Sequence, residues 1–353
     1  MKKIIAISFL LLLLIAPKLF SCTGLFLKNK AQGYVYARTL EFGQDLYSQI
    51  LFVPRKYTFT SPTPAADQGG LTWHSKYAVI GTNAFGFNYF VDGVNEKGLA
   101  GGLFYFPGFA EYQDITPQNY KKSLPMWELL TWILTNFSSI QEIKQELPNI
   151  YVSTASIPGK EEIPPAHLII HDSWGNSLVI EYVNGKLHLY DNPLGVITNS
   201  PPFDWHLTNL RNYINLSPIN APNKTMSGIS FSQLGQGSGM LGLPGDFTPP
   251  SRFIRITAFT QSAPEAPTEL DGIYQAFHLL NNFDIPKGTV ADKSGVLEYT
   301  QWTSAIDMKN KVYYIKTYEN FQLQKIELMK QNLMAEKPST FSLNYKDRIH
   351  EIK

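Results

Sequence analysis

The 353-residue chain contains one cysteine, Cys22, in the run Leu19-Phe20-Ser21-Cys22-Thr23-Gly24. One cysteine cannot close an internal disulfide. Three roles remain for it. It can be a small buried hydrophobe. It can be a lipid attachment point, since Leu19 at −3 and Ser21 at −1 fit a lipobox, although Phe20 at −2 is bulky and the strand-like TGLFLK leaves no flexible tether. It can be a nucleophile. If the chain is cut after Ser21, Cys22 carries both a thiol and a free α-amine. That amine has an unperturbed pKa of about 7.7–8.0, so it can take the thiol's proton itself and no histidine is needed. Only the third role accounts for both the uniqueness of the cysteine and its position.

The position depends on what precedes it. Lys2 and Lys3 open the chain, the apolar stretch at residues 4–16 follows, and Pro17 breaks it. Thirteen residues are too few for a bilayer span of about 20, so residues 1–21 read as an export signal and residues 22–353 as one exported domain, periplasmic or secreted. No later stretch is long and apolar enough to be a membrane span. Loss of Lys2, Lys3 and Lys18, with no acid, takes the formal net charge from +1 to −2. A near-neutral chain without a Lys/Arg block gives no reason to expect nucleic acid or an anionic membrane as a partner.

Other constellations carry less. Gly237-Ser238-Gly239-Met240-Leu241-Gly242 spells G-x-G-x-x-G, but Pro244 and Gly245 follow where a dinucleotide site needs a helix. Ser238 between glycines lacks the strand–turn–helix setting of a nucleophile elbow. His167 and His171 are four apart in a strand-like run, where that spacing does not place them as it would on a helix.

The elements that must position Cys22 can be read from pattern. Residues 23–28 and 34–40 form a hairpin around a turn at 29–33. Residues 124–136 form a helix, with Ser123 as cap and Pro125 in its first turn. Ser138 and Gln141 make a capping box for a second, short helix. Four strands fill 167–200, with Asn184-Gly185 as a hairpin turn. Residues 201–252 read as loop-rich, with many Gly and Pro, and 268–283 as a helix with Leu270, Ile273, Tyr274, Phe277 and Leu280 at helical spacing. Strands then return. This order points to an α+β protein with antiparallel sheets, and two sheets packed face to face with helices outside would make four layers.

Several segments are specific enough to carry a resemblance: CTGLFLK, ARTLEF, DGVNEKGLAGGLFYFP, GVITNSPPFDWHLTNLRNY, LGQGSGMLGLPGDFTPPSRFIR and KTYEN. Together they resemble the choloylglycine hydrolase family of conjugated bile salt hydrolases and penicillin V acylases, from Cys22 to about residue 330. The resemblance implies an N-terminal-nucleophile hydrolase with a four-layer αββα sandwich, a linear amide substrate with a bulky apolar acyl group, and no metal or organic cofactor. Acyl-homoserine lactones fit the same description. It also implies a homotetramer, with the loop-rich residues 201–230 as an assembly arm. The rival from another class is a lipoprotein anchored through Cys22.

The resemblance carries over residue by residue. Cys22 stands at the nucleophile. Arg38 matches the arginine beside it, where a guanidinium favours thiolate over thiol. Glu41 stands where the family usually has aspartate to position the nucleophile's amine, with an arm one methylene longer. Tyr105 aligns with a position that is often asparagine in bile salt hydrolases and tyrosine in penicillin V acylases; its backbone N–H is a candidate oxyanion donor. Asn199 matches the asparagine that holds the tetrahedral oxyanion. Arg252 matches the second active-site arginine, a member of a charge network. Aromatic residues in 85–90 and 104–109 are candidates for lining an acyl pocket.

Overall fold

Asn29 closes the first turn by accepting the Gly33 N–H on its side chain, 2.9 Å away. Strand β1 (Cys22–Lys28) therefore returns at once as β2 (Tyr34–Phe42). Their register sets Cys22 opposite Leu40 and Gly24 opposite Arg38. Side chains alternate along a strand. Val35 of β2 meets the helix layer at Gly272, whereas Tyr36 and Arg38 project toward Gly102 of the other sheet. The computed structural model describes residues 21–65, 69–159, 163–346, 349 and 351–352. The export signal read at residues 1–21 lies, except for Ser21, outside them.

One sheet runs in the order β1, β2, Leu297–Asp307, Val312–Thr317 and Gln324–Glu327, with Val290–Ala291 added onto Leu297–Asp307. The other has eight strands in the order Lys186–Asp191, Ser177–Val183, Ala166–His171, Ala100–Tyr105, Asp92–Asn95, Val79–Thr82, Ile50–Val53 and Ser339–Phe341. Every pairing within these two sheets is antiparallel. The α-helices are α1 (Met126–Asn136), α2 (Ile140–Glu146), α3 (Phe203–Leu210), α4 (Pro249–Ser262) and α5 (Glu269–Leu280).

Two apolar clusters hold these layers together. In one, Leu25, Ala37, Ile169 and Ala305 of the two sheets join Phe253, Ile256, Ile273 and Phe277 of α4 and α5. In the other, Leu130, Ile133 and Ile143 of α1 and α2 cover Leu168, Ile170 and Ile180. Ile169 faces one cluster while Leu168 and Ile170 face the other, as a strand covered on both sides requires. The architecture is the four-layer αββα sandwich.

Local details depart from the sequence reading. Helix α1 begins at Met126 with Pro125 as its N-cap. Ser123 lies before it in the short strand Ser123–Pro125 and donates to Tyr120 O instead (2.8 Å). The cap of α2 is Ser139, which accepts from Glu142 N at 3.2 Å, while Glu142 reaches back to Ser138 N at 2.7 Å. The box is thus one residue later than Ser138–Gln141, a register that buries Ile140 and Ile143. Residues 201–252 are loop-rich but contain helix as well. They hold α3, with Phe203 and His206 buried, and the first turn of α4, which opens on Pro249-Pro250. Proline in a first turn removes an N–H that has no helical partner anyway, so the pair starts a helix here. The G-x-G-x-x-G stretch is a tight turn in which a Cβ at Gly239 would overlap the carbonyls of Ser217 and Ile219.

Candidate active site

Cys22 begins β1 and is buried, 4% exposed, at one wall of a cavity of about 150 Å³. Arg38, Leu40 and Glu41 of β2 lie along it, with Tyr89, Tyr105 and Trp127 from the facing layers. Phe85 and Phe90 line this cavity; Phe104 and Phe106 are core residues, 0% exposed.

Every polar atom of the Cys22 backbone is held. With Ser21 attached, its nitrogen is a peptide N–H and donates to Asn199 Oδ1 at 2.8 Å. In a chain beginning at Cys22 the same nitrogen is the α-amine. Its carbonyl accepts from Arg252. Burial pushes the thiol pKa up; Arg38, the Glu41 backbone N–H and Arg252 oppose that rise, while the Glu41 carboxylate adds to it.

Arg252 rises from the first turn of α4. It donates to Cys22 O, to Thr23 Oγ1 (2.9 Å), to Asn199 Oδ1 (2.6 Å) and to Phe247 O (2.8 Å). All four acceptors are neutral, and one of them is the Cys22 carbonyl, so the group clamps the backbone there. Burial lowers its pKa to about 10, against the pull of Glu41 and Cys22. Asn199 is fixed from both ends. Its Oδ1 accepts from Cys22 N and Arg252, and its Nδ2 donates to Tyr105 O at 2.7 Å.

Arg38 is fully buried between Phe104, 4.1 Å from its guanidinium carbon, and Trp302, 5.5 Å away. It donates to Thr39 O, Val91 O and Leu103 O. Nη2 has no partner among the described residues. A Cβ at Gly102 would collide with the Tyr36 hydroxyl and crowd Arg38. Glycine there is what admits this pair between the sheets.

The Glu41 carboxyl does not reach Cys22 N. Its Oε1 accepts from Thr300 Oγ1 at 2.7 Å, and Oε2 has no partner among the described residues. Burial raises its pKa to about 7, with Arg252 and Thr300 opposing. The longer arm fits because Thr300 is the cross-strand neighbour of Glu41.

Sequence reasoning missed three groups here. Thr23 and Thr300 hold Arg252 and Glu41. Glu298 is buried, 2% exposed, with its pKa raised to about 8 by burial and by Glu41. Alternation along Leu297–Asp307 places Glu298 and Thr300 on one face, but nothing in their spacing marks them as neighbours of residue 41.

The family described as linear amide C-N hydrolases, choloylglycine hydrolase family, matches residues 22–346. A bile salt hydrolase/transferase of Clostridium perfringens is 36% identical over 92% of this chain and 97% of its own. A penicillin V acylase of Pectobacterium atrosepticum is 26% identical over 84% of this chain and 78% of its own. A crystal structure of a mutant conjugated bile acid hydrolase from Clostridium perfringens superposes with a TM-score of 0.82 at 34% identity, covering 94% of this chain and all of that one. Fold and site define a hydrolase of linear amide carbon–nitrogen bonds. The chain belongs to the choloylglycine hydrolase family.

Proposed function

We propose that the chain is an exported cysteine amidase whose nucleophile is exposed by removal of residues 1–21. Its substrates join a bulky apolar acyl group to a small polar amine. The observation that carries this reading is the triple hold on Cys22: nitrogen on Asn199, carbonyl on Arg252, thiol against an apolar cavity.

In the proposed cycle the Cys22 amine takes the thiol proton as sulfur attacks the amide carbonyl. The Arg38 guanidinium stabilises the developing thiolate. Asn199 Nδ2 carries two hydrogens; Tyr105 O takes one, and the other is assigned to the oxyanion, beside the Tyr105 main chain. The Cys22 ammonium then gives its proton to the leaving amine as the C–N bond breaks. Water cleaves the thioester, with the same amine as base. Asn199 Oδ1, which accepts from Cys22 N, is the acceptor assigned to the ammonium. No step calls for a metal or organic cofactor.

The relatives support two acyl classes, those of bile salts and of penicillin V; acyl-homoserine lactones remain the alternative in the same reaction class. A homotetramer is part of the same proposal. The segment around the hairpin Lys224–Met226 and Ile229–Phe231 leaves Ile219, Met226, Ile229, Phe231 and Leu234 exposed, apolar area that a second copy would cover.

Intact mass and N-terminal sequencing of the exported protein, with turnover of glycine-conjugated and phenoxyacetyl amides, test the reading. A free Cys22 terminus and a Cys22→Ala variant that folds but turns nothing over are expected. A lipid on Cys22, a retained leader in active protein, or an active Cys22→Ala variant would overturn it.

A further inference from the structure

Asn199 lies just past the last main-chain pairing of its segment. Ile197 still exchanges both hydrogen bonds with Gly24, at 2.8 and 3.1 Å. Beyond it the chain turns through Ser200 and Pro201 into α3, so the carbonyls of residues 198 and 199 have no neighbouring strand to serve them. A buried carbonyl still needs a donor. Both donors here are histidine rings. His167 Nε2 donates to Thr198 O at 3.2 Å, and His206 Nε2 donates to Asn199 O at 3.0 Å. A carbonyl can only accept, so each of these ring nitrogens carries a hydrogen. The two carbonyls belong to the peptide groups on either side of the Asn199 Cα. The two rings thus fix the backbone from which the Asn199 side chain projects.

Each ring is itself held. His167 is buried and lies flat on Phe106, with 4.4 Å between centroids and 4° between planes. Its Nδ1 meets Glu181 Oε1 at 2.9 Å. Glu181 is buried on the neighbouring antiparallel strand, and its Oε1 also accepts from Phe203 N at 3.1 Å. The pair therefore grips the segment at two points, Thr198 O and Phe203 N, with Asn199 between them. His206 is buried and stacks on Phe253 (4.5 Å, 14°), the residue after Arg252 in α4. Burial lowers its pKa to about 4, so the ring is neutral and has the single hydrogen that Asn199 O takes. Phenylalanine could fill either place and stack as well. What it would lack is the N–H.

We propose that His167, braced by Glu181, and His206 are positioning residues for Asn199, setting the direction of the side chain that holds Cys22 N and is assigned to the oxyanion. This rests on the amidase reading for the role of Asn199. Neither ring lines the cavity at Cys22. Their effect reaches the chemistry only through Asn199, and that separates positioning from general support of the fold. Asn199 Nδ2 must keep one hydrogen on Tyr105 O, 2.7 Å away, while it presents the other to the oxyanion. A small rotation of the backbone would spoil that geometry.

A double-mutant cycle isolates that route. In the mature protein, His167→Phe keeps the ring stack and removes the N–H. Its kcat on an amide that the parent cleaves should fall about 10- to 100-fold with KM within about twofold, the larger figure being the cost of a misplacement of about 1 Å. In the Asn199→Ala background the same substitution should change kcat by less than about twofold, because the group it positions is gone. His206→Phe should behave alike. His167→Phe leaves Glu181 without its ring partner, so His167→Phe/Glu181→Gln repeats the test if the single variant does not fold. Crystal structures of the mature parent and of the variant check the geometry without any substrate. The hydrogen bond from Asn199 Nδ2 to Tyr105 O should be lost in the variant. Additive losses in the cycle, a rise in KM at unchanged kcat, or an unmoved Asn199 in the variant crystal would overturn the positioning role. A mature parent that cleaves no amide would overturn the amidase reading alone, and the crystal comparison would still decide the positioning.

Discussion

The eight-stranded sheet has two faces, and they are built differently. Toward α1 and α2, Leu129, Leu130, Ile133 and Leu134 pack on Leu168, Ile170, Leu178 and Ile180, all 0% exposed. Toward the other sheet, the apolar core is interrupted by buried charge. Asp92 accepts from Tyr313 Oη (2.7 Å), Ser304 Oγ (2.6 Å) and Thr82 Oγ1. His167 pairs with Glu181 at 2.9 Å. Arg38 lies across the strand ladder from Ser304. The Tyr36 hydroxyl and both His171 ring nitrogens have no partner among the described residues. Each such buried orphan costs about 1–3 kcal/mol. The outer face gathers the apolar burial that offsets them. The inner face, low in dielectric, makes the few charges beside Cys22 act strongly on it. On the proposed function, stability and chemistry are divided between two sides of one sheet.

If that division holds, a change at the inner face should alter turnover and a change at the outer face should not. Short of removing the Cys22 thiol itself, the largest effect on turnover is expected at Asn199→Ala. It removes the acceptor of Cys22 N and the assigned oxyanion donor, and kcat should fall about 10²–10³-fold, the loss typical of one such donor. Near-normal kcat would break the assignment. Ile133→Ala tests the other side. A buried isoleucine cut to alanine typically costs about 2–5 kcal/mol, so denaturant unfolding should shift by that amount with kcat/KM within twofold. A matching loss of activity would show that the two faces are coupled.

The smallest effect sharpens the comparison through pH. Glu298 has a folded pKa near 8, against about 4.5 unperturbed. Folding therefore favours its protonated form. The stability this confers is full below about 4.5 and is lost as pH rises toward 8. Melting temperatures at pH 5 and pH 8.5 should differ less in Glu298→Gln than in the parent. Equal slopes would mean that Glu298 titrates as it does in the unfolded chain.

Much of this was legible from pattern. The β1–β2 hairpin follows from alternation around a turn with Asn29 and Gly33. The α5 helix follows from Ile273, Phe277 and Leu280 at helical spacing, with Thr268 accepting from Asp271 N as cap. The Asn184-Gly185 turn has the positive φ at both residues, 52° and 68°, that its type demands. These are local signals, set within a few residues. The α3 and α4 helices were missed because Pro201, Pro202, Pro249 and Pro250 read as breakers, whereas each pair sits where a helix begins. The cap of α2 was off by one because burial of Ile140 and Ile143 chose the register.

By itself, then, the sequence determined which chemistry is available. One cysteine follows an apolar run of sequence. Arg38 and Glu41 are set two strand-lengths away, and Asn199 and Arg252 lie in segments shared with a family. The tertiary structure decided what each group touches. The family's aspartate position holds a glutamate that bonds Thr300 and not Cys22 N. Arg252 clamps a backbone and does not pair with a carboxylate. Tyr89 and Trp127 line both the cavity at Cys22 and a second one beside Glu128. The reason is physical. A residue's type fixes its donors, acceptors and charge, but its partners come from strands up to 259 positions apart in the chain. Only the packing of four layers brings those together.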